Sequence, residues 1–481
     1  MRKLLLPGLS ALALTACASA PVYERPKEAV INRPAAIAAF TDADNAAFAA
    51  HTVPGEWWKL YDDARLNRLI SEALAANTDL RVAETRIARA RIGLHIAKDD
   101  ADIKTEVSAG LEYGQPSAQE YLLLGEHIPS DYLYSATAGV SYQVDLAGQI
   151  RSAINAAQAD IATAQAAYDA TRVSIVADTT RAWLDVCATG QQIGLTRQAL
   201  DLQSQSTALT RRLMAAGRSG ANEVTRSSVQ EAQARAALPA LLAAHQSALY
   251  RLAALTGRAP GELPADTGDC NVLPRLSQPL PIGDGATLLQ RRPDVRARES
   301  ELNAATSRAG VAHAALYPQV RLGASVGSVG LLSDFGRYDT MKFGLGPLIR
   351  WEFPNRKRAR AGIEAAEADI QAAEARFDGT VLTALRETET ALTTYARDLD
   401  QRAELQAAHD QAEQGLSEVE RLHKAGRLSV APVLDARRAV VQSGQILAAA
   451  DARLAADQVQ VFLALGGGWD AAPAKAPLKA F

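Results

Sequence analysis

Residues 149–220 read QIRSAINAAQADIATAQAAYDATRVSIVADTTRAWLDVCATGQQIGLTRQALDLQSQSTALTRRLMAAGRSG. No proline occurs between Gln149 and Leu238, and large apolar residues recur at sevens: Ile154, Ile161, Tyr168 and Ile175, then Leu195, Leu202 and Leu209. Sevenfold recurrence predicts a coiled-coil seam, narrower than the apolar face of a helix lying on a globular core. As one helix from Gln149 to Ala216 the stretch would be about 100 Å long. It ends at Gly217-Arg218-Ser219-Gly220, where the chain is expected to turn back.

The same rod is written a second time. Adding 209 carries Tyr168-Asp169, Thr171, Thr179, Ala182, Asp201 and Gln205 onto Phe377-Asp378, Thr380, Thr388, Ala391, Asp410 and Gln414. The offset also lays Arg212-Leu213, Ala216-Gly217-Arg218 and Val224 on Arg421-Leu422, Ala425-Gly426-Arg427 and Val433. A period this long is a duplication, since solenoid units repeat every ~20–50 residues. Both copies turn at Ala-Gly-Arg. The boundaries follow: a first repeat over 57–256, a connector over 257–284 rich in Pro and Gly, and a second repeat over 285–466.

Composition agrees. Lys+Arg number 51 against Asp+Glu 54, a formal charge of −3, so no basic field points to nucleic acid. Aromatics make 5% and hydrophobics 48%, with alanine filling the gap, as suits long helices in close approach.

Between the helical stretches the period changes to two. From Ile103 to Tyr113 the odd positions carry Ile103, Thr105, Val107, Ala109, Leu111 and Tyr113, while Lys104, Glu106, Ser108, Gly110 and Glu112 fill the even ones. A second run sets Tyr134, Ala136, Ala138, Val140, Tyr142 and Val144 against Ser135, Thr137, Gly139, Ser141, Gln143 and Asp145. The second repeat has a strand around Val320, Leu322, Ala324 and Val326 and another with Phe343, Leu345, Ile349, Trp351 and Phe353 on one face. Seven of the twelve tyrosines fall in 113–142 or 317–338, as interfacial girdles of a membrane barrel require. Four strands cannot close a barrel, and open edges in lipid leave backbone groups unpaired. Two copies would give eight strands, too narrow for a passage; three give twelve and an open lumen.

The N-terminus begins Arg2-Lys3, then an apolar run from Leu4 to Leu14, too short to span a bilayer. Leu14-Thr15-Ala16-Cys17 resembles the bacterial lipoprotein cleavage box. That resemblance makes 1–16 a lipoprotein signal peptide and Cys17 the lipidated first mature residue, held in outer-membrane lipid by several acyl chains. Residues 17–56, with Pro21, Pro26, Pro34 and Pro54, read as an extended tether, and 467–481 as a flexible tail. The two remaining cysteines, Cys187 and Cys270, lie in an oxidising compartment and are expected to pair across 83 residues, for roughly 4–5 kcal/mol. Two buried free thiols are the alternative.

Several motifs together resemble a family. They are Trp57-Trp58 with Asp62-Asp63-Ala64-Arg65-Leu66, then Asn77-Thr78-Asp79-Leu80, Val144-Asp145-Leu146-Ala147-Gly148-Gln149, Arg291-Arg292-Pro293-Asp294-Val295-Arg296 and Val433-Leu434-Asp435-Ala436. From Cys17 to about Leu465 the chain resembles the TolC-like outer-membrane factors of tripartite efflux pumps, in the NodT-type lipoprotein branch. The resemblance implies a mainly α chain with a transmembrane β-barrel portion. Duplicated long-helix hairpins and four strands per chain would build a trimeric twelve-stranded barrel continued by a periplasmic α-helical tunnel. It implies a homotrimer passing drugs or other small toxic compounds, with a periplasmic adaptor protein and an inner-membrane resistance–nodulation–division transporter as partners. Gly217, Arg218, Gly426, Arg427, Val433 and Leu434 would form the adaptor-contacting tip, and Asp435 a ring of carboxylates at the periplasmic gate. The chain departs from the family's second acidic position at Pro432.

No cofactor, metal site or enzymatic activity is expected. The seven histidines lack metal-ligand spacing, and Gly344-x-Gly346 lacks a third glycine. The alternatives are the same architecture serving type I protein secretion, or a non-channel periplasmic coiled coil, which would not need four alternating strands.

Overall fold

The computed structural model describes residues 23–115, 117, 130–276, 278–351, 353 and 356–468. In chain order the main elements are α1 (Ala64–Ala76), α2 (Thr78–Asp99), β1 (Lys104–Gly114), β2 (Asp131–Val144), α3 (Gln149–Ala215), α4 (Ala221–Leu255), α5 (Gly285–Arg291), α6 (Pro293–Ala314), β3 (Gln319–Leu331), β4 (Met341–Arg350), α7 (Lys357–Lys424) and α8 (Val430–Ala464). The chain divides into two compact units. The first holds 86–164 and 297–377 with the described residues up to Pro26; the second holds 27–85, 165–296 and 378 onward.

The repeat is visible at the helix ends. The 209-residue offset carries α4 onto α8 end to end, each 35 residues long, and α3 and α7 run 67 and 68 residues. Each of these four helices stops at a glycine in the left-handed region: Gly217 (φ 65°), Gly257 (φ 70°), Gly426 (φ 72°) and Gly466 (φ 65°). The next amide closes back onto the last turn, Arg218 N to Leu213 O at 2.8 Å and Arg427 N to Leu422 O at 3.0 Å. An L side chain resists this conformation, so glycine sets the stop.

In the first unit the four strands form one antiparallel sheet in the order β1-β2-β3-β4. The register pairs Val107 with Ala138, Ala138 with Val326, and Val326 with Phe343. β2 begins at Asp131, three residues before the expected alternation, because Tyr132 and Leu133 pair with Tyr113 and Glu112.

In the second unit the core gathers around Trp57, which has no exposed surface and stacks on Phe462 with ring centroids 4.4 Å apart. Asp63 caps α1 by accepting from the Arg65 and Leu66 amides, and its other oxygen accepts from Trp183 Nε1 at 2.8 Å. The expected tether is corrected here. Residues 27–56 form a strap, with Val30, Phe40, Phe48 and Val53 buried. Phe48–Ala49 pairs in parallel with Leu280–Pro281, and Asp378, Glu389 and Thr393 of α7 bond the strap at Val30, Thr41 and Asp42. Its apolar residues are scattered without a period, which is why the sequence reads as linker. The start of the expected tail is also packed: Gly467 and Gly468 lie against Trp57, where a Cβ at Gly467 would sit 2.9 Å from the indole. The rest of that tail lies outside the described residues.

Candidate functional site

Backbone register sorts the sheet into two chemical faces. One face carries Val107, Leu111 and Tyr113, then Tyr132, Ala138, Val140 and Tyr142, then Val320, Leu322 and Val326, then Phe343, Leu345 and Ile349. The other carries Lys104, Glu106, Ser108 and Glu112, then Ser135, Thr137, Ser141 and Gln143, then Arg321 and Ser325, then Lys342 and Arg350. On the apolar face Val107 is 83% exposed, Phe343 88% and Leu345 85%. A sheet face this apolar and this bare is not made for water. An apolar hollow of about 340 Å³ opens on it, lined by Ile103, Val140, Tyr142, Leu322, Leu345 and Pro347.

Aromatic residues bracket the apolar band. At the loop end Tyr113 packs edge-on to Tyr132 (5.2 Å) and Tyr134 to Phe335 (4.9 Å). At the helix end Trp351 stacks on Phe353 (4.9 Å) and donates to the Leu316 carbonyl at 3.2 Å. From Tyr132 to Tyr142 is ten strand residues, roughly 33 Å of rise. Tilted at ~40°, that is a band about 25 Å tall, the apolar height of an outer-membrane barrel. The outer edges of β1 and β4 have no partner strand among the described residues.

The second candidate region is the pair of helical turns in the second unit. Gly217, Arg218, Gly426 and Arg427 form the glycine stops themselves. Val433 and Leu434, expected to touch a partner, are only 5% and 6% exposed, so their side chains pack inward beneath any docking surface. Asp435 stands exposed one turn into α8 and pairs with Arg438. Arg438 Nη1 also donates to Gln203 Oε1 on α3 at 3.3 Å. Gln203 in turn donates to Ser227 of α4, where Thr207 and Ser227 share a 2.9 Å hydroxyl contact; all three are buried. A polar chain thus runs from Asp435 to the α3–α4 pair. Sequence reading missed Arg438; its signal was the i,i+3 spacing to Asp435. Pro432 sits in the first turn of α8, where no helical N–H is needed.

Cys187 and Cys270 are joined, with Cα atoms 4.6 Å apart, and the bond pins the connector to α3. Gly190 lies directly beneath the Cys270 carbonyl, with no room for a Cβ. Further along, Asn77 Nδ2 donates to Leu255 O, the last carbonyl of α4, at 3.2 Å. In the second repeat Arg292 Nη1 does the same for Ala464 O of α8 at 3.0 Å. Burial opposes the charge of Arg292, and Asp294 and Glu387 more than offset this, holding its pKa above the ordinary arginine value. Cys17 lies outside the described residues.

The chain is similar to known proteins. The family model "Outer membrane efflux protein" matches residues 69–258 and 286–467, one segment in each repeat. Outer membrane protein OprJ of Pseudomonas aeruginosa is 30% identical over 471 residues, covering 96% of this chain and 95% of that protein. Nodulation protein T of Rhizobium leguminosarum bv. viciae is 27% identical over 430 residues, covering 88% and 86%. The solved outer-membrane channel OprN superposes with a TM-score of 0.84 at 28% identity, over 94% of this chain and all of that one. The chain belongs to the outer membrane efflux protein family, and its fold is that of the TolC-like channels.

Proposed function

We propose that this member of the outer membrane efflux protein family is the outer-membrane channel of a tripartite efflux pump, passing small toxic compounds out of the cell. One observation carries the reading: a four-stranded sheet with an apolar face, a polar face and two edges that have no partner strand among the described residues. Such a sheet is stable in lipid only when other copies close it. Three copies make twelve strands, with the apolar face toward lipid and the Ser, Gln, Lys and Glu face lining the lumen. A lumen so lined sorts little by chemistry, so selectivity belongs to the inner-membrane transporter, of the resistance–nodulation–division class. Lipid on Cys17 adds an anchor.

The glycine turns at Gly217-Arg218 and Gly426-Arg427 are exposed, suited to docking of a periplasmic adaptor's helical hairpin. Asp435, repeated three times about the axis, forms the gate, and Arg438 holds its helix to Gln203. Carboxylates so placed favour cations, and the Asp435–Arg438–Gln203 contacts hold α8 against α3 in the resting state. Two experiments test this. Deleting the gene should sensitise the cell to several exported compounds, with rescue by the intact chain. In planar bilayers Asp435→Ala or Arg438→Ala should raise resting conductance, and Asp435→Ala should also weaken cation preference. Unchanged traces from both variants would remove the gate from the reading; full resistance in the deletion strain would remove efflux.

A further inference from the structure

At the helix end of the sheet the two open edges carry opposite charge. The edge of β4 runs into Arg350, Arg356, Lys357, Arg358 and Arg360, and no ion pair engages any of the five among the described residues. The edge of β1 is preceded by Asp99, Asp100 and Asp102, all exposed, with Lys104 bridging only the first two. Each cluster sits at the wrong end of its own helix. The cations crowd the first turn of α7, which has no acidic residue, and Asp99 closes the C-terminal turn of α2. Macrodipoles disfavour both placements within a single chain.

Strand polarity resolves the conflict. β1 and β3 leave helices and run toward the loops, while β2 and β4 return, so β4 of one copy and β1 of the next meet antiparallel. Both charge clusters are then at the same end of the new strand pair. We propose that the Asp99/Asp100/Asp102 cluster of each copy docks on the Arg350–Arg360 cluster of the next, an electrostatic clasp that sets strand order and register at the inter-subunit seam. The inference rests on the shared-barrel reading above. The carboxylates would lie at the positive end of the partner's α7, a favourable place for an anion. Each exposed pair contributes up to about five-fold to the association of one interface, and less at high salt.

The test uses the full mature chain in detergent, following the temperature at which trimer dissociates. Reversing the acids (Asp100→Lys with Asp102→Lys) or the bases (Arg358→Glu with Arg360→Glu) should lower that temperature, and combining all four should restore it toward wild type. Raising salt from about 0.05 M to about 0.5 M should lower it for the wild type and leave the neutralised variant (Asp100→Asn, Asp102→Asn) unmoved. Three results overturn the clasp: single reversals that leave the trimer unchanged, a combined variant no better than the worse single, or a defect confined to the basic reversal, which would point those cations at lipid headgroups. A wild-type chain that never trimerises would instead overturn the shared barrel itself.

Discussion

Arg292 shows how one side chain can hold an element from far away. It is buried, yet it links Asp294 on α6, Glu387 on α7 and the final carbonyl of α8. Arg292→Met would leave that carbonyl with only the 3.3 Å bond from Thr388 Oγ1 and free two acids that are each over a third exposed, at a cost of about 1–2 kcal/mol, less than for a fully buried pair. Denaturant melts should show a lower midpoint with an unchanged slope. The arginine and its neighbours were legible as a motif, but its partner lies 172 residues away, and Asn77 finds Leu255 at 178, so neither cap could be read from local sequence. Asp457 gives a pH test. Burial, and then the neighbouring carboxylate of Asp398, push its pKa up to about 6 against the opposing pull of Arg453 and Arg181. A raised carboxyl binds its proton more tightly in the folded than in the unfolded chain, so its contribution favours folding below pH 4 and is lost as pH rises to about 6. Asp457→Asn should therefore raise the melting temperature at pH 7.5 and leave it little changed at pH 4; a loss at pH 7.5 would contradict this.

Among elements, periodicity told most and composition least. The rods, the turns at Gly217 and Gly426, and the strands were legible because spacings of seven and two are set by side-chain geometry alone. The strap over 27–56 was not, since it is held by single contacts to α7 and by a two-residue strand pair. Gly467 and Gly468 read as the start of a flexible tail because glycine signals freedom, whereas here it allows close approach to Trp57. The burial of Val433 and Leu434 was likewise invisible, because a repeat shows which positions correspond but not which way they face. The sheet's two faces invite a paired test. Phe343→Lys, on the apolar face, should cost roughly 2–4 kcal/mol in the membrane and lower the yield of folded protein in outer membranes. Gly344→Lys, one residue on and facing the polar side, should leave the yield near wild type; equal losses from both would remove the assignment of faces.

At the scale of the molecule, sequence and structure converge on one physical requirement. A sheet with an apolar face and two unpaired edges cannot stand alone in lipid, and a doubled pair of long helices with matched glycine stops supplies equivalent wall segments to each copy. The duplication was legible to the residue, with α4 falling on α8, while the assembly could be inferred only through the chemistry of the edges. Electron microscopy of the detergent-extracted mature protein tests the central claim most directly. The expected particles have three-fold end views, with twelve strands closing a single barrel. Monomeric particles, or a barrel closed within one chain, would contradict it.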